Sequence, residues 1–183
     1  MTSVAALWRR LDAPGHDVCR LEEGRIGWRL DGTAVFRHDD APARLDYRVH
    51  SDRTWRTRAA HVQGWVGSRA VEIIVVREDG RWLLNDAPVP GLDDCVDVDF
   101  GFTPATNLLQ LRRIALAVGA AADVPVAWLD VPAGTLLRLQ QRYHRLSDDR
   151  YEYDAPRFAY HAELEVNAAG FVRRYPRLWE LED

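Results

Sequence analysis

The chain has 183 residues, 47% apolar and 28% charged, with a formal net charge of -4. That length fits one domain over residues 1–183, able to bury roughly 70% of the surface its unfolded form exposes. The slight acidity excludes a global attraction to nucleic acid or to an anionic membrane. All 24 basic residues are arginine, which excludes Schiff-base lysine chemistry and makes every cation a planar fork suited to carboxylate or phosphate.

The N-terminal stretch MTSVAALWRRLDAPGHD has no apolar run long enough for a signal peptide, and no later segment approaches a membrane span. Cys19 and Cys95 make neither a disulfide framework nor a metal spacing. The expected setting is therefore the cytoplasm, with both thiols buried and no integral membrane association.

In chain order, SVAALWRRL is a helical candidate near the N-terminus. RLDYRVHS alternates Leu45, Tyr47 and Val49 with Arg44, Asp46, Arg48 and His50, the period of a half-buried strand. AVEIIVVREDGRWLLND reads as a hairpin turning at Asp79-Gly80. A short helical turn is expected from Thr106 to Leu111, with a strand resuming at RRIALAV. TLLRLQQRYHRLSDDRYEYD reads as a second hairpin, its first strand running from 134 to 144 and its turn at Ser147 to Asp149. FAYHAELEVNAAGFVRRYP reads as a third, turning between Asn167 and Gly170. Ten or more short strands with little helix predict an all-β, single-domain curled antiparallel sheet or barrel-like fold.

The polar positions of these strands include Arg48 and His50, then Arg56 and Arg58, then Arg138, Gln140, Arg142 and His144. They are either a solvated outer face or the lining of a concave interior. Gln141, on the apolar side with Leu137, Leu139 and Tyr143, requires a hydrogen bond or a wet cavity.

The densest polar stretch is DCVDVDFGFTPATNLLQLRR, residues 94–113. On a strand, Asp97 and Asp99 share a face opposite Val98 and Phe100. They are candidates for an acid/base pair, for a hard-cation site, or for ion pairs with Arg112, Arg113 or Arg58. Pro104 cannot donate to a ladder, and Thr103, Thr106 and Asn107 suit a capping or Asx-type corner. One of Arg112 and Arg113 is expected to face inward and to need a carboxylate, with Asp97 or Asp99 the obvious partner. The six histidines lack metal-ligand spacing, and neither a nucleophile elbow nor a phosphate-binding glycine loop is present, so no metal or cofactor is expected. Seven tryptophans and six tyrosines fill a core or offer stacking platforms. Trp55, Tyr143 and Tyr153 stand nearest the arginine-bearing strands.

The ordered series WRRLDAPGHD, GWRLDGTAV, LDYRVHSDRTWRTR, DGRW, DVDFGFTPATN, RR, QRYH and YEYD resembles the bacterial family called "putative glycolipid-binding". WRTR paired with DVDFGFTPATN is its most specific part, and the resemblance spans nearly the whole chain. It implies a spiral β-roll likened to the half-barrels of periplasmic lipoprotein carriers, which hold acyl chains in a concave apolar cleft. Positions matching the pattern are Asp52, Trp55, Thr57, Arg58, Asp97, Asp99, Thr103, Pro104, Thr106, Asn107, Arg112, Arg113 and Tyr143. Asp17 stands where the family tends to have glutamate, and LLQLRR lacks a proline the family tends to carry. Both departures bear on local geometry.

The leading expectation is a non-enzymatic protein that binds a glycolipid-like amphiphile on the concave face of the sheet. Its ligand-binding candidates are Trp55, Arg56, Arg58, Thr103, Asn107, Arg112, Arg113, Gln141, Arg142 and Tyr143, with Arg56, Arg58 or Arg142 gripping an anionic head. The alternatives are an enzyme on a small glycoconjugate using Asp97 and Asp99, and an interaction module using a sheet edge.

Overall fold

The computed structural model describes residues 3–182. Its strands are β1 (Ser3–Arg10), β2 (Gly15–Glu23), β3 (Gly27–His38), β4 (Ala41–Asp52), β5 (Thr57–Val66), β6 (Arg69–Glu78), β7 (Arg81–Leu84), β8 (Ala87–Val89) and β9 (Asp97–Phe100). Helix α1 (Asn107–Ile114) follows, then β10 (Ala121–Asp123), β11 (Val126–Asp130), β12 (Thr135–Leu139), β13 (Arg142–Arg145) and β14 (Arg150–Ala155). A 3-10 turn at Pro156–Phe158 leads into β15 (Tyr160–Val166), β16 (Val172–Tyr175) and β17 (Trp179–Leu181).

Fourteen strands form one curled, open sheet in the order β10-β13-β14-β15-β16-β17-β1-β2-β3-β4-β5-β6-β7-β8. The all-β expectation holds. Its two halves join where the last strand pairs antiparallel with the first, Trp8 opposite Leu181 and Arg10 opposite Trp179. A second sheet, β12-β11-β9, contains a parallel pair, Val126 opposite Asp97.

Period-2 patterning explains the long strands. In β4, Leu45, Tyr47 and Val49 are buried while Arg44, Arg48 and His50 are exposed. The buried set packs with Val98 and Phe100 of β9 and with Leu108 and Leu109 of α1. The small sheet and the helix thus fill much of the curl. A second cluster, with Val126, Leu139, Tyr143, Tyr153 and Leu164, lies under β13–β15. Each fully buried side chain of this size contributes about 1.5–3 kcal/mol. Among the described residues, no helix is long and apolar enough to cross a membrane.

The Asp79-Gly80 hairpin forms as expected, with φ of 49° and 81°, the positive pair that a right-twisted two-residue turn requires. The turns near Ser147–Asp149 and Asn167–Gly170 also close their hairpins. Cys19 and Cys95 are free, buried thiols.

Three expectations fail. SVAALWRRL forms β1: Ala6 and Trp8 are buried while Leu7 is 41% exposed, and the apolar residues on both faces masked the two-residue period. Residues 134–144 do not form one strand, because the chain leaves the small sheet after Leu139 and enters the large one at Arg142. The strand expected from Arg112 is the last turn of α1, which runs to Ile114 and ends at Ala115 in the left-handed conformation, φ 41°.

Candidate functional site

Strand β9 ends in the corner that leads into α1, and the polar side chains of that corner are held from every side. The Thr106 hydroxyl donates to Asp99 Oδ1 at 2.7 Å and accepts the Phe100 N–H at 3.1 Å. Gln141 Nε2 donates to Asp99 Oδ2 at 2.9 Å. This bond explains a glutamine on an apolar face: it sits at the crossing between the two sheets and its amide satisfies a buried carboxyl. The Tyr143 hydroxyl donates to Gln141 Oε1 at 3.3 Å and accepts from Asn107 Nδ2 at 2.8 Å. Burial pushes the Asp99 carboxyl above its ordinary range, although the Thr106 and Gln141 bonds pull the other way.

A second set of bonds ties the corner to the large sheet. Asp17 Oδ2 accepts the hydroxyls of Thr103 and, at 2.9 Å, Tyr47, while its Oδ1 is buried without a partner. Burial pushes Asp17 up to about 7 against the lowering effect of those two bonds. Asp97 is fully buried and grips Arg113, with Nε at 3.0 Å from Oδ1 and Nη2 at 2.7 Å from Oδ2. The expected inward arginine is therefore Arg113, and its carboxylate is Asp97.

Beside the corner lies a cleft of about 370 Å³, within the range of small-molecule sites. Asp99, Thr103 and Asn107 form its polar end; Trp128, Leu139, Tyr153, Tyr160, Tyr175 and Trp179 are among its walls. At its mouth, Arg10 makes a two-pronged pair with Asp12, at 2.7 and 2.8 Å. The guanidinium lies 5.1 Å from the Phe36 ring and 5.5 Å from the Trp179 ring. Phe158, 49% exposed, closes another side and packs edge-on against Trp128 at 5.2 Å. A crevice of about 190 Å³ continues past the shared residues Arg10, Gly101 and Trp128.

Of the residues singled out in the sequence, Asp99, Thr103 and Asn107 line this cleft, as does Tyr153. Gln141, Tyr143, Asp97 and Arg113 stand behind the lining and hold it. The other arginines are elsewhere. Arg142 pairs with Asp123 on an exposed surface, and Arg58 pairs with Asp52, whose Oδ1 also accepts the Arg56 N–H. Arg112 donates to the carbonyls of Ala168 and Ala169 and lies 5.8 Å from the Trp55 ring, which stacks on Trp28. Arg10, Asp12, Phe158, Tyr160 and Tyr175 were not singled out. The motif WRRLDAPGHD contains the first two, and the aromatic density of the stretch from β14 to β17 was the visible signal for the other three.

Among the described residues, no three His, Cys, Asp or Glu side chains converge to hold a metal ion. The corner offers buried acceptors and donors beside an aromatic cavity, which suits the binding of hydroxyl groups next to apolar surface.

No curated protein matches the chain. A solved structure of a DUF1089 family protein from Pseudomonas aeruginosa is similar in fold. It has 24% identity and a TM-score of 0.78, over 98% of this chain and 92% of that one. The model of the family described as "Putative glycolipid-binding" matches residues 5–180, and the chain belongs to that family.

Proposed function

We propose that the protein binds an amphiphile without transforming it. The hydroxyl-bearing head would meet Asp99, Thr103 and Asn107, and the apolar tail would lie against Trp128, Leu139, Tyr153 and Trp179. The observation that carries this reading is the joining, in one cleft of about 370 Å³, of a satisfied polar end to aromatic walls. Arg58 and Arg142 do not line the cleft, and Arg10, which does, is already paired with Asp12, so the reading favours a neutral head over an anionic one. Asp97 is fully buried against Arg113, so a mechanism needing Asp97 and Asp99 together at a substrate gains no support.

Titration with hexyl, octyl and decyl glucosides below their micelle thresholds, followed by tryptophan fluorescence, tests the reading. Each methylene that enters the cleft adds about 0.8 kcal/mol, about fourfold in affinity. Ala155→Leu, which adds bulk to a buried lining residue, should abolish the dependence on chain length. A flat response to chain length in the wild type contradicts the proposal.

A further inference from the structure

Three arginines from three separate elements meet around one buried carboxylate, and none of them lines the cleft. Arg113 of α1 commits its fork to Asp97, which is fully buried. Arg77 of β6 donates from Nε to the Cys95 carbonyl at 3.2 Å, two residues before Asp97, and its guanidinium lies 5.8 Å from the Trp82 ring. Arg56 stands in the loop between β4 and β5. The hydroxyl of the next residue, Thr57, accepts the Val98 N–H at 3.1 Å, which ties the start of β5 to β9 one residue past Asp97. Burial raises the Asp97 carboxyl, and Arg113, Arg77 and Arg56 all act against it.

The charges of this cluster do not balance. Both Asp97 oxygens are taken by Arg113, and Arg58, the other cation near Arg77, is paired with Asp52. Among the described residues, no carboxylate pairs with Arg56 or with Arg77; Arg56 is exposed and Arg77 half-buried. By contrast, Arg44, Arg48 and Arg142 each have a carboxylate of their own. Burial holds the Arg77 guanidinium below its ordinary range, and repulsion from Arg56, Arg58 and Arg113 adds to this against the attraction of Asp97. Two positive charges are thus left uncompensated on a protein of net charge -4. They match a phosphate monoester, which is close to a dianion at neutral pH and accepts from several guanidinium forks at once. A carboxylate brings half that charge. Much of the site is held in advance: Asp52 Oδ1 accepts the Arg56 N–H at 3.0 Å, and the Cys95 carbonyl and Trp82 hold Arg77. This lowers the ordering cost of binding.

We propose that Arg56 and Arg77, backed by the Arg113–Asp97 pair, form a second binding site, for a phosphate monoester group. A soluble phosphate ester and a phosphate-bearing lipid head present the same chemistry to it. The site uses no residue of the amphiphile cleft, so each can fail without the other.

The test is arginine Nε–Hε chemical-shift mapping of the full chain with methyl phosphate, in about 0.15 M salt, where surface attraction beyond about 8 Å is screened. The expected result is saturable shifts at Arg56 and Arg77, with no shift at Arg142, which pairs with Asp123 in the other half of the sheet. Affinity should fall roughly tenfold or more in Arg56→Gln, an exposed position. It should stay unchanged in Arg142→Gln, which removes the same charge elsewhere. Acetate should bind more weakly than methyl phosphate. Co-sedimentation with phosphatidylcholine vesicles, with and without phosphatidic acid, then separates the sources. Arg56-dependent capture by the phosphatidic acid vesicles assigns a lipid head, and methyl phosphate binding without that capture assigns a soluble ester. No saturable shift, equal effects of the two variants, or acetate bound as tightly as methyl phosphate overturns the proposal.

Discussion

Asp17→Asn should remove a pH dependence that the wild type builds into its own core. Asp17 is fully buried in β2, and Oδ2 alone receives its two hydrogen bonds, from Thr103 and Tyr47. A neutral carboxyl with its proton on Oδ1 fits this arrangement. Burial accordingly raises the group from 3.8 to about 7 in the folded state. The folded protein then holds a proton that the unfolded chain releases, so this contribution is fully present below pH 3.8. It declines as pH rises and is lost above about 7. The gap amounts to about 4 kcal/mol at 1.36 kcal/mol per pH unit. Asparagine offers one carbonyl oxygen to the same two donors and carries no titrating proton. Urea unfolding of both proteins across about pH 4 to 9 isolates the effect, since every other group titrates alike in the two. The variant should match the wild type near pH 4 and exceed it by up to about 4 kcal/mol near pH 8. Parallel stability profiles, or a variant weaker at pH 8, would refute the reasoning.

Other perturbations separate the structural arginine from its neighbour and probe the polar corner. Arg113→Ala strands the fully buried Asp97 carboxylate and should cost about 3–5 kcal/mol in denaturant unfolding. Arg112→Ala, which removes bonds to exposed carbonyls, should cost about 1 kcal/mol, and equal losses would contradict the assignment. Tyr143→Phe leaves Asn107 Nδ2 and Gln141 Oε1 each short of a buried partner. A loss of about 1–3 kcal/mol in melting or denaturant experiments is expected, with the secondary structure unchanged by circular dichroism.

The fold was legible wherever a local signal was unambiguous. Asp79-Gly80 announced its hairpin because few residues tolerate two successive positive φ values, and β4 announced itself through strict alternation. β1 did not, because Ala5 and Leu7 make its outer face as apolar as its inner one. The break between β12 and β13 was hidden for a different reason. Gln140 continues the polar alternation, and although Gln141 stands out as a polar residue on the apolar side, only the placement of Asp99 shows why it turns inward. The candidate site was half legible. Asp99, Thr103 and Asn107 lie within nine residues of one another, so their clustering could be read directly. Arg10, Tyr160, Tyr175 and Trp179 reach the same cleft only because β17 pairs with β1 across the whole length of the chain, which no short-range pattern encodes. Arg56, Arg58, Arg112, Arg113 and Arg142 lie outside the cleft, and alternation alone could not show this, because it marks a polar face without saying whether it is the inner or the outer one.

Mass spectrometry of the purified protein, intact under native conditions and again after organic extraction, tests the central claim most directly. The account predicts a stoichiometric amphiphile with a neutral, hydroxyl-bearing head, retained by the wild type and lost by a folded Ala155→Leu variant whose cleft is blocked. An amphiphile held equally by both proteins would place binding elsewhere on the molecule and contradict the account.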